Sequence, residues 1–192
     1  MDWGEDWRKT DKEKGQPAEH LLQKLFVNVL KKKYGTTDDD YNIFENKDIT
    51  GDAYFVSLKN LDMNCNNTPK VVFVEVKNDD KGTTTGNIFI EYWSRGKKSG
   101  ILASESCYWA VKFYKEDVNR DVFYFIKKER LFQACHDKRF FRDNVRGGDY
   151  NLNIGVLFTW EVFEEITKEG IEAKDGSMII ECNENKIKIN II

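Results

Sequence analysis

Hydrophobic residues change their spacing along this chain. Near the start, Leu21, Leu22, Leu25, Phe26, Val29 and Leu30 recur at three- and four-residue intervals, as on one face of a helix. Pro17 suits the first helical position, Lys31, Lys32 and Lys33 complement the negative end of the helix dipole, and Gly35 can close it, so a helix is predicted there. From Asp52 onward the period drops to two. Asp52–Leu58, Lys70–Lys77 and Asn87–Trp93 read as strands, the first two forming a hairpin around NLDMNCNNTP. Cys107–Tyr114 and Val122–Ile126 read as a second hairpin through KEDVNRD. Short helices are predicted over Lys128–Cys135 and Trp160–Lys168, the latter capped by Thr159, and SMIIEC with IKINII predicts a closing hairpin around NENK. That order predicts an α+β fold, a mixed central sheet flanked by helices, in preference to alternating βαβ units.

The chain has 192 residues and shows no repeat, linker or break in composition, so one domain over 1–192 is predicted, with residues 1–14 charged and frayed. Apolar residues make up 40% and charged residues 33%, which excludes disordered and low-complexity classes. The longest apolar stretches, Leu21–Leu30 and Val71–Val76, fall short of the ~20 residues that cross a bilayer, and the charged opening MDWGEDWRKTDKEK is unlike a signal peptide. No membrane partner is expected, and a cytoplasmic location is, in the host cell if the protein is viral. Oligomeric state is not legible, and a homo-oligomer stays open.

Cys65, Cys107, Cys135 and Cys182 are scattered without a C-x-x-C pair, and only His20 and His136 could complete a zinc shell, which disfavours structural zinc and favours a reducing compartment. The same shortage of histidine weakens Ser-His-Asp and Cys-His schemes, leaving carboxylates and lysines as the candidates for chemistry. Net charge is −3 but unevenly spread. Lys127–Arg146 carries seven basic residues against three acids, and Glu161–Glu184 carries eight acids against two lysines. The acidic third is therefore expected to face away from an anionic substrate and toward a partner.

The chemically informative stretch is KVVFVEVKN. Alternation puts Val72, Val74 and Val76 on one face and Val71, Phe73, Glu75 and Lys77 on the other, so both faces are largely apolar and the strand should be central. A carboxylate and an ammonium at the end of such a strand are costly unless they pair or bind something. If the strand from Asp52 pairs with this one, Asp52 and Glu75 meet near one sheet edge with Lys77 close by. Two carboxylates that close call for a hard cation such as Mg2+ or Mn2+, and a bound water near a lysine is a hydrolytic nucleophile. A structural salt-bridge network among the three residues is the plain alternative.

ITGD ending at Asp52, followed by VEVK with Glu75 and Lys77, resembles the PD-(D/E)XK, or restriction-endonuclease-like, nuclease superfamily. Gly51 stands where the family name has proline. The resemblance implies a restriction-endonuclease-like core, Mg2+ or Mn2+ held by Asp52, Glu75 and the Val76 carbonyl, and Lys77 orienting or polarising the attacking water. Many members open with a helix whose glutamate points into the metal site, and Glu19 fits, at the edge of the apolar stripe of Leu22, Phe26 and Leu30. A first-turn glutamate complementing the helix dipole explains Glu19 as well. Glu91, among the apolar residues of NIFIEYW, is placed in the site as an auxiliary ligand or a partner of Lys77.

The segment after Trp93 is basic and glycine-rich. Arg95, Lys97 and Lys98 with Gly96 and Gly100 form a candidate phosphate-holding loop, to which Ser99 belongs. The Ser99-Gly100 pair leading to Tyr108-Trp109 also resembles a loop in some phage and viral members of the superfamily. Trp93, Tyr108 and Trp109 are candidates for stacking on unpaired bases, with core packing the plain reading of aromatics in such strands; Lys112, otherwise a solvated lysine, and Arg146, in a VRGGDYN turn, are candidates for further phosphate contacts. The resulting expectation is a metal-dependent nuclease acting on nucleic acid, DNA ahead of RNA, with a structure-selective endonuclease or Holliday-junction-type resolvase among the enzymes it admits. The alternative is a non-catalytic nucleic-acid-binding or assembly protein that keeps a nuclease-like fold.

Overall fold

The period-two run at Lys70 becomes an interior strand of a seven-stranded mixed sheet. A computed structural model describes residues 21–22, 41–46, 53–58, 70–115, 120–147, 149–183 and 186–190. In chain order the elements are β1 Tyr41–Asn46, β2 Ala53–Leu58, β3 Lys70–Asn78, α1 Asp80–Thr85, β4 Asn87–Ser94, β5 Lys97–Lys98, β6 Tyr108–Lys115, β7 Arg120–Lys127, α2 Lys128–His136, β8 Arg142–Gly147, β9 Asn153–Thr159, α3 Trp160–Glu172, β10 Met178–Asn183 and β11 Lys186–Asn190. Leu21 and Leu22, from the expected first helix, are helical, and Leu22 is buried. The fold is α+β.

The large sheet has the order β1-β2-β3-β6-β7-β10-β11. β3 pairs antiparallel with β2 and parallel with β6, so the sheet changes sense beside it. The three expected hairpins all form, β2 with β3, β6 with β7 and β10 with β11. Asn87–Trp93, however, does not continue that meander. It opens a second sheet of order β5-β4-β9-β8.

The second sheet packs on one face of the first. Residues paired across strands point to the same side, so Glu75, Trp109 and Ile126 share a row, as do Lys77, Val111, Tyr124 and Ile179. On that face Trp109, Val111, Phe113 and Tyr124 join Ile88, Ile90, Val156, Phe158, Phe163 and Ile166 in one apolar core. These rings meet edge-on, as aromatic quadrupoles favour: Tyr124 lies 6.0 Å from Phe163 and Phe158 6.1 Å from Phe163, both T-shaped. α3 lies over β7 and β10 and starts where expected, with Thr159 Oγ1 accepting from the Val162 N–H at 3.5 Å. It runs past Lys168 to Glu172, and at Gly170 it approaches Ser177 so closely that a Cβ would come within 2.4 Å of Ser177 Oγ.

The run Gly82–Thr85 supplies most of α1. Asp79 caps it, accepting from the Gly82 N–H at 2.6 Å, and Gly86 closes it at φ +70. Among the described residues, no helix is long and apolar enough to cross a membrane.

Candidate functional site

Glu75 and Lys77 stand two positions apart on β3, which places them on the same side of the sheet. Lys77 Nζ is 2.6 Å from Glu75 Oε1; the glutamate side chain is 7% exposed and the lysine 43%. The pair thus bridges interior and solvent, with a carboxylate anchored in the core and an ammonium that reaches out. Beneath it lies Trp109, whose ring centroid is 5.9 Å from Lys77 Nζ, within cation–π range. The register partner of Glu75 on β2 is Ala53, the residue that follows Asp52 in sequence. Asp52 and Glu19 themselves lie outside the described residues.

Glu91 sits on β4, in the smaller sheet, and accepts a short hydrogen bond from Ser99 Oγ. The Ser99 N–H donates to the Tyr92 carbonyl at 3.1 Å, and Gly100, at φ +48, lies so close to Glu91 that a Cβ would come within 2.1 Å of its carbonyl oxygen. The Ser-Gly pair therefore works as a brace. Serine fixes the glutamate head, and glycine lets the chain pass over β4 on its way to Ile101 in the core.

Between Ser94 and Lys97 the chain reverses in two residues, Arg95 at φ 49 and Gly96 at φ 79, the two left-handed conformations of a tight hairpin turn. Arg95, Lys97 and Lys98 are all exposed, but Lys97 and Lys98 form strand β5, so the expected basic loop is a tight hairpin. Arg146 is exposed too, but it belongs to strand β8 and not to a turn.

Two aromatic candidates do not fit the surface role given them. Trp109 is 1% exposed, part of the core, and its Nε1 finds no acceptor among the described residues, so its face is closed to a base. Tyr108 stacks on Phe125 at 4.6 Å and donates to the Asp175 carbonyl at 2.8 Å. Lys112, on the opposite face from Lys77, is ion-paired with Asp121 at 2.7 Å, neither solvated nor presented to a phosphate. The aromatic that sequence reasoning passed over is Tyr150, which is 85% exposed. The only signal for it was its place in the VRGGDYN turn.

The uneven charge largely cancels inside the fold. Arg139 meets Glu169 at 2.7 Å and Glu165 at 3.5 Å, and Arg130 meets Asp175 at 2.7 Å. Glu164 is partly buried, which disfavours its charge, yet hydrogen bonds from Lys168 and Tyr124 and the nearby Lys115 hold its carboxyl down to about 2. Glu165, Glu169 and Asp175 thus face the basic segment around Arg130 and Arg139, while Glu161 and Glu172 stay exposed. A cavity of about 460 Å³ between α2 and α3 is lined by Arg130, Arg139, Glu169 and Asp175, cations already matched by carboxylates. Burial pushes the Cys135 thiol up to about 12 and the Cys182 thiol up to about 11, so neither is a ready nucleophile.

For a hard cation the useful donors are oxygens. Glu75 and the neighbouring Val76 carbonyl offer them on β3, and the remaining donors named from sequence, Asp52 and Glu19, lie outside the described residues. Among the described residues, no three His, Cys, Asp or Glu side chains gather as a metal-binding group. The chemistry of Glu75 fits such an ion; a complete shell requires Asp52. No family model, curated protein or solved structure matches the chain.

Proposed function

We propose that this protein is a divalent-metal-dependent nuclease that hydrolyses phosphodiester bonds, DNA ahead of RNA, with Asp52, Glu75 and Lys77 as its catalytic residues. The observation that carries the reading is the Glu75–Lys77 contact of 2.6 Å on an interior strand, in register with the residue after Asp52.

Glu75 holds Lys77 by charge and hydrogen bond, and the Trp109 ring supports the ammonium from below. Lys77 thereby presents N–H donors at a fixed point where a phosphate oxygen or an attacking water can accept them. Mg2+ or Mn2+, held by Asp52, Glu75 and the Val76 carbonyl, would supply Lewis acidity and a lowered water pKa. Without a cation, the carboxylates Glu19, Asp52, Glu75 and Glu91 outweigh Lys77 and repel a phosphodiester, so substrate binding at the site and turnover should both depend on metal. An intracellular setting accords with Cys107, Cys135 and Cys182, which are free thiols.

The test is incubation of the full chain with linear, single-stranded and branched DNA and RNA in Mg2+, Mn2+ or EDTA. Cleavage that EDTA abolishes and that Asp52→Ala lacks is the expected result. Nucleic-acid binding that survives EDTA and Lys77→Ala without any cleavage would instead make the protein a non-catalytic binder.

A further inference from the structure

The smaller sheet ends in two adjacent loops. One is the Arg95-Gly96 turn between β4 and β5; the other joins β8 to β9 and carries Tyr150. They are tied by the Arg95 N–H, which donates to the Leu152 carbonyl at 3.2 Å, and by Ser94 Oγ to Asn153 Oδ1 at 2.7 Å. The register places Lys97, Ser94, Asn153 and Gly147 in the last row across the four strands, and Lys98, Trp93, Ile154 and Arg146 in the row before it. Half-buried Trp93 therefore lies between two exposed cations on the edge strands, which three strand spacings separate by about 14 Å.

Tyr150 stands out at this end. It is 85% exposed, and it adopts φ 57 with Asn151 following at φ 54, a left-handed conformation that side chains such as tyrosine rarely take. Backbone of this kind persists only where the surroundings hold it, and here it turns a large ring into solvent beside basic residues. A ring with no burial to gain, next to cations with phosphate-binding chemistry, matches the combination by which proteins hold single strands.

We infer that this sheet end binds an unpaired stretch of nucleic acid, Tyr150 stacking on a base while Lys98 and Arg146, which share a row and a face of the sheet, hold the flanking phosphates. The inference rests on the nuclease reading for its biological sense and sharpens it, naming nucleic acid with single-stranded segments as the substrate class.

Fluorescence anisotropy of the full chain with labelled oligo-dT, oligo-rU and a duplex of equal length, all in EDTA, tests it apart from cleavage. Tyr150→Ala should weaken oligo binding about tenfold or more while leaving the duplex nearly unaffected, and Tyr150→Trp should restore it. Lys98→Ala with Arg146→Ala should flatten the salt dependence on oligo-dT by about 1.4 in log–log slope. The dT and rU arms report which sugar is preferred. Unchanged oligo binding by Tyr150→Ala, equal losses on oligo and duplex, or no oligo binding by the unaltered chain overturns the inference. Tyr150-dependent binding without metal-dependent cleavage would overturn the nuclease reading alone, and cleavage with Tyr150-independent binding would overturn this inference alone.

Discussion

The ion pairs between α2 and α3 close on one another, whereas the pair on β3 opens to solvent at one end. Arg130 is 26% exposed against a partner, Asp175, at 12%, and Arg139 is gripped by two glutamates. In the β3 pair the carboxylate is buried and the lysine is 43% exposed. The first arrangement ties α2 to the turn after α3 through Arg130 and Asp175, and the segment after α2 to α3 through Arg139 and its two glutamates. In the second the carboxylate sits in the core and the ammonium at the surface, an asymmetry the first lacks.

The largest expected effect tests the open pair. Lys77→Gln, which keeps a hydrogen-bond donor but removes the charge, should lower metal-dependent cleavage by at least about a hundredfold, and Asp52→Ala should remove it altogether. Circular dichroism and thermal melting should show both proteins folded. Lys77→Ala also strands Glu75, whose buried carboxylate then lacks its cation, so this variant should in addition melt earlier. Full cleavage by Lys77→Gln would reduce the β3 pair to the same bracing role as the α2–α3 pairs.

The closed pairs should behave oppositely. Arg130→Ala removes the guanidinium that Asp175 accepts from at 2.7 Å, a charge-assisted bond, and should cost about 1.5–3 kcal/mol in urea unfolding. Cleavage per folded molecule should not change. A loss of cleavage without a loss of stability would place α2 in contact with substrate and erase the distinction between the two clusters.

Acid should reach the closed region through its depressed carboxyls. Glu164 is held down from 4.5 to about 2, and the Asp175 and Glu169 carboxyls are also lowered, with burial opposed by bonds from Ser177 and Arg130 at Asp175 and the hydrogen bond from Arg139 leading at Glu169. A folded-state pKa below the unfolded one means that the unfolded chain takes up protons first as pH falls. Their stabilisation is thus fully present above about pH 4.5 and is lost progressively toward pH 2. Urea midpoints across that window should fall, and Glu164→Gln should flatten the descent. A midpoint independent of pH there would mean that these pairs contribute nothing to folding.

Where the sequence was legible and where it was not follows from how each residue is used. β2, β3, β6, β7, β10 and β11 alternate cleanly or run apolar, so their hairpins could be read. β9 could not, because Gly155 interrupts its pattern: a Cβ there would meet the Ile90 carbonyl at 2.4 Å and the Phe89 ring at 2.6 Å, so the strand needs a residue that carries no periodicity. β8, Arg142–Gly147, is an exposed edge strand marked by charge, the usual protection against stray pairing, and it reads as a loop. Glu75 and Lys77 were legible as a pair because charge inside an apolar strand is rare in any fold. Tyr150 was not, since an exposed aromatic in a glycine-rich turn looks like any other until the neighbouring loop is in place. Trp109 was misread because a strand that faces a second sheet is indistinguishable by alternation from one that faces solvent.

The smallest expected effect concerns that same Trp109, which joins the open pair to the core. Trp109→Phe keeps an aromatic face under Lys77 but deletes the buried Nε1 donor that has no acceptor among the described residues. Removing an unsatisfied donor recovers on the order of 1–3 kcal/mol of desolvation, and the smaller ring leaves a void that costs a comparable amount. The two should nearly cancel, leaving stability within about 1 kcal/mol and the cleavage pH profile in place. Trp109→Leu, which removes the ring face as well, should shift cleavage further than it shifts stability, because Lys77 then loses its cation–π support. If Trp109→Phe instead loses several kcal/mol, Nε1 has an acceptor beyond the described residues, and the tryptophan is held as firmly as the arginines of the closed region.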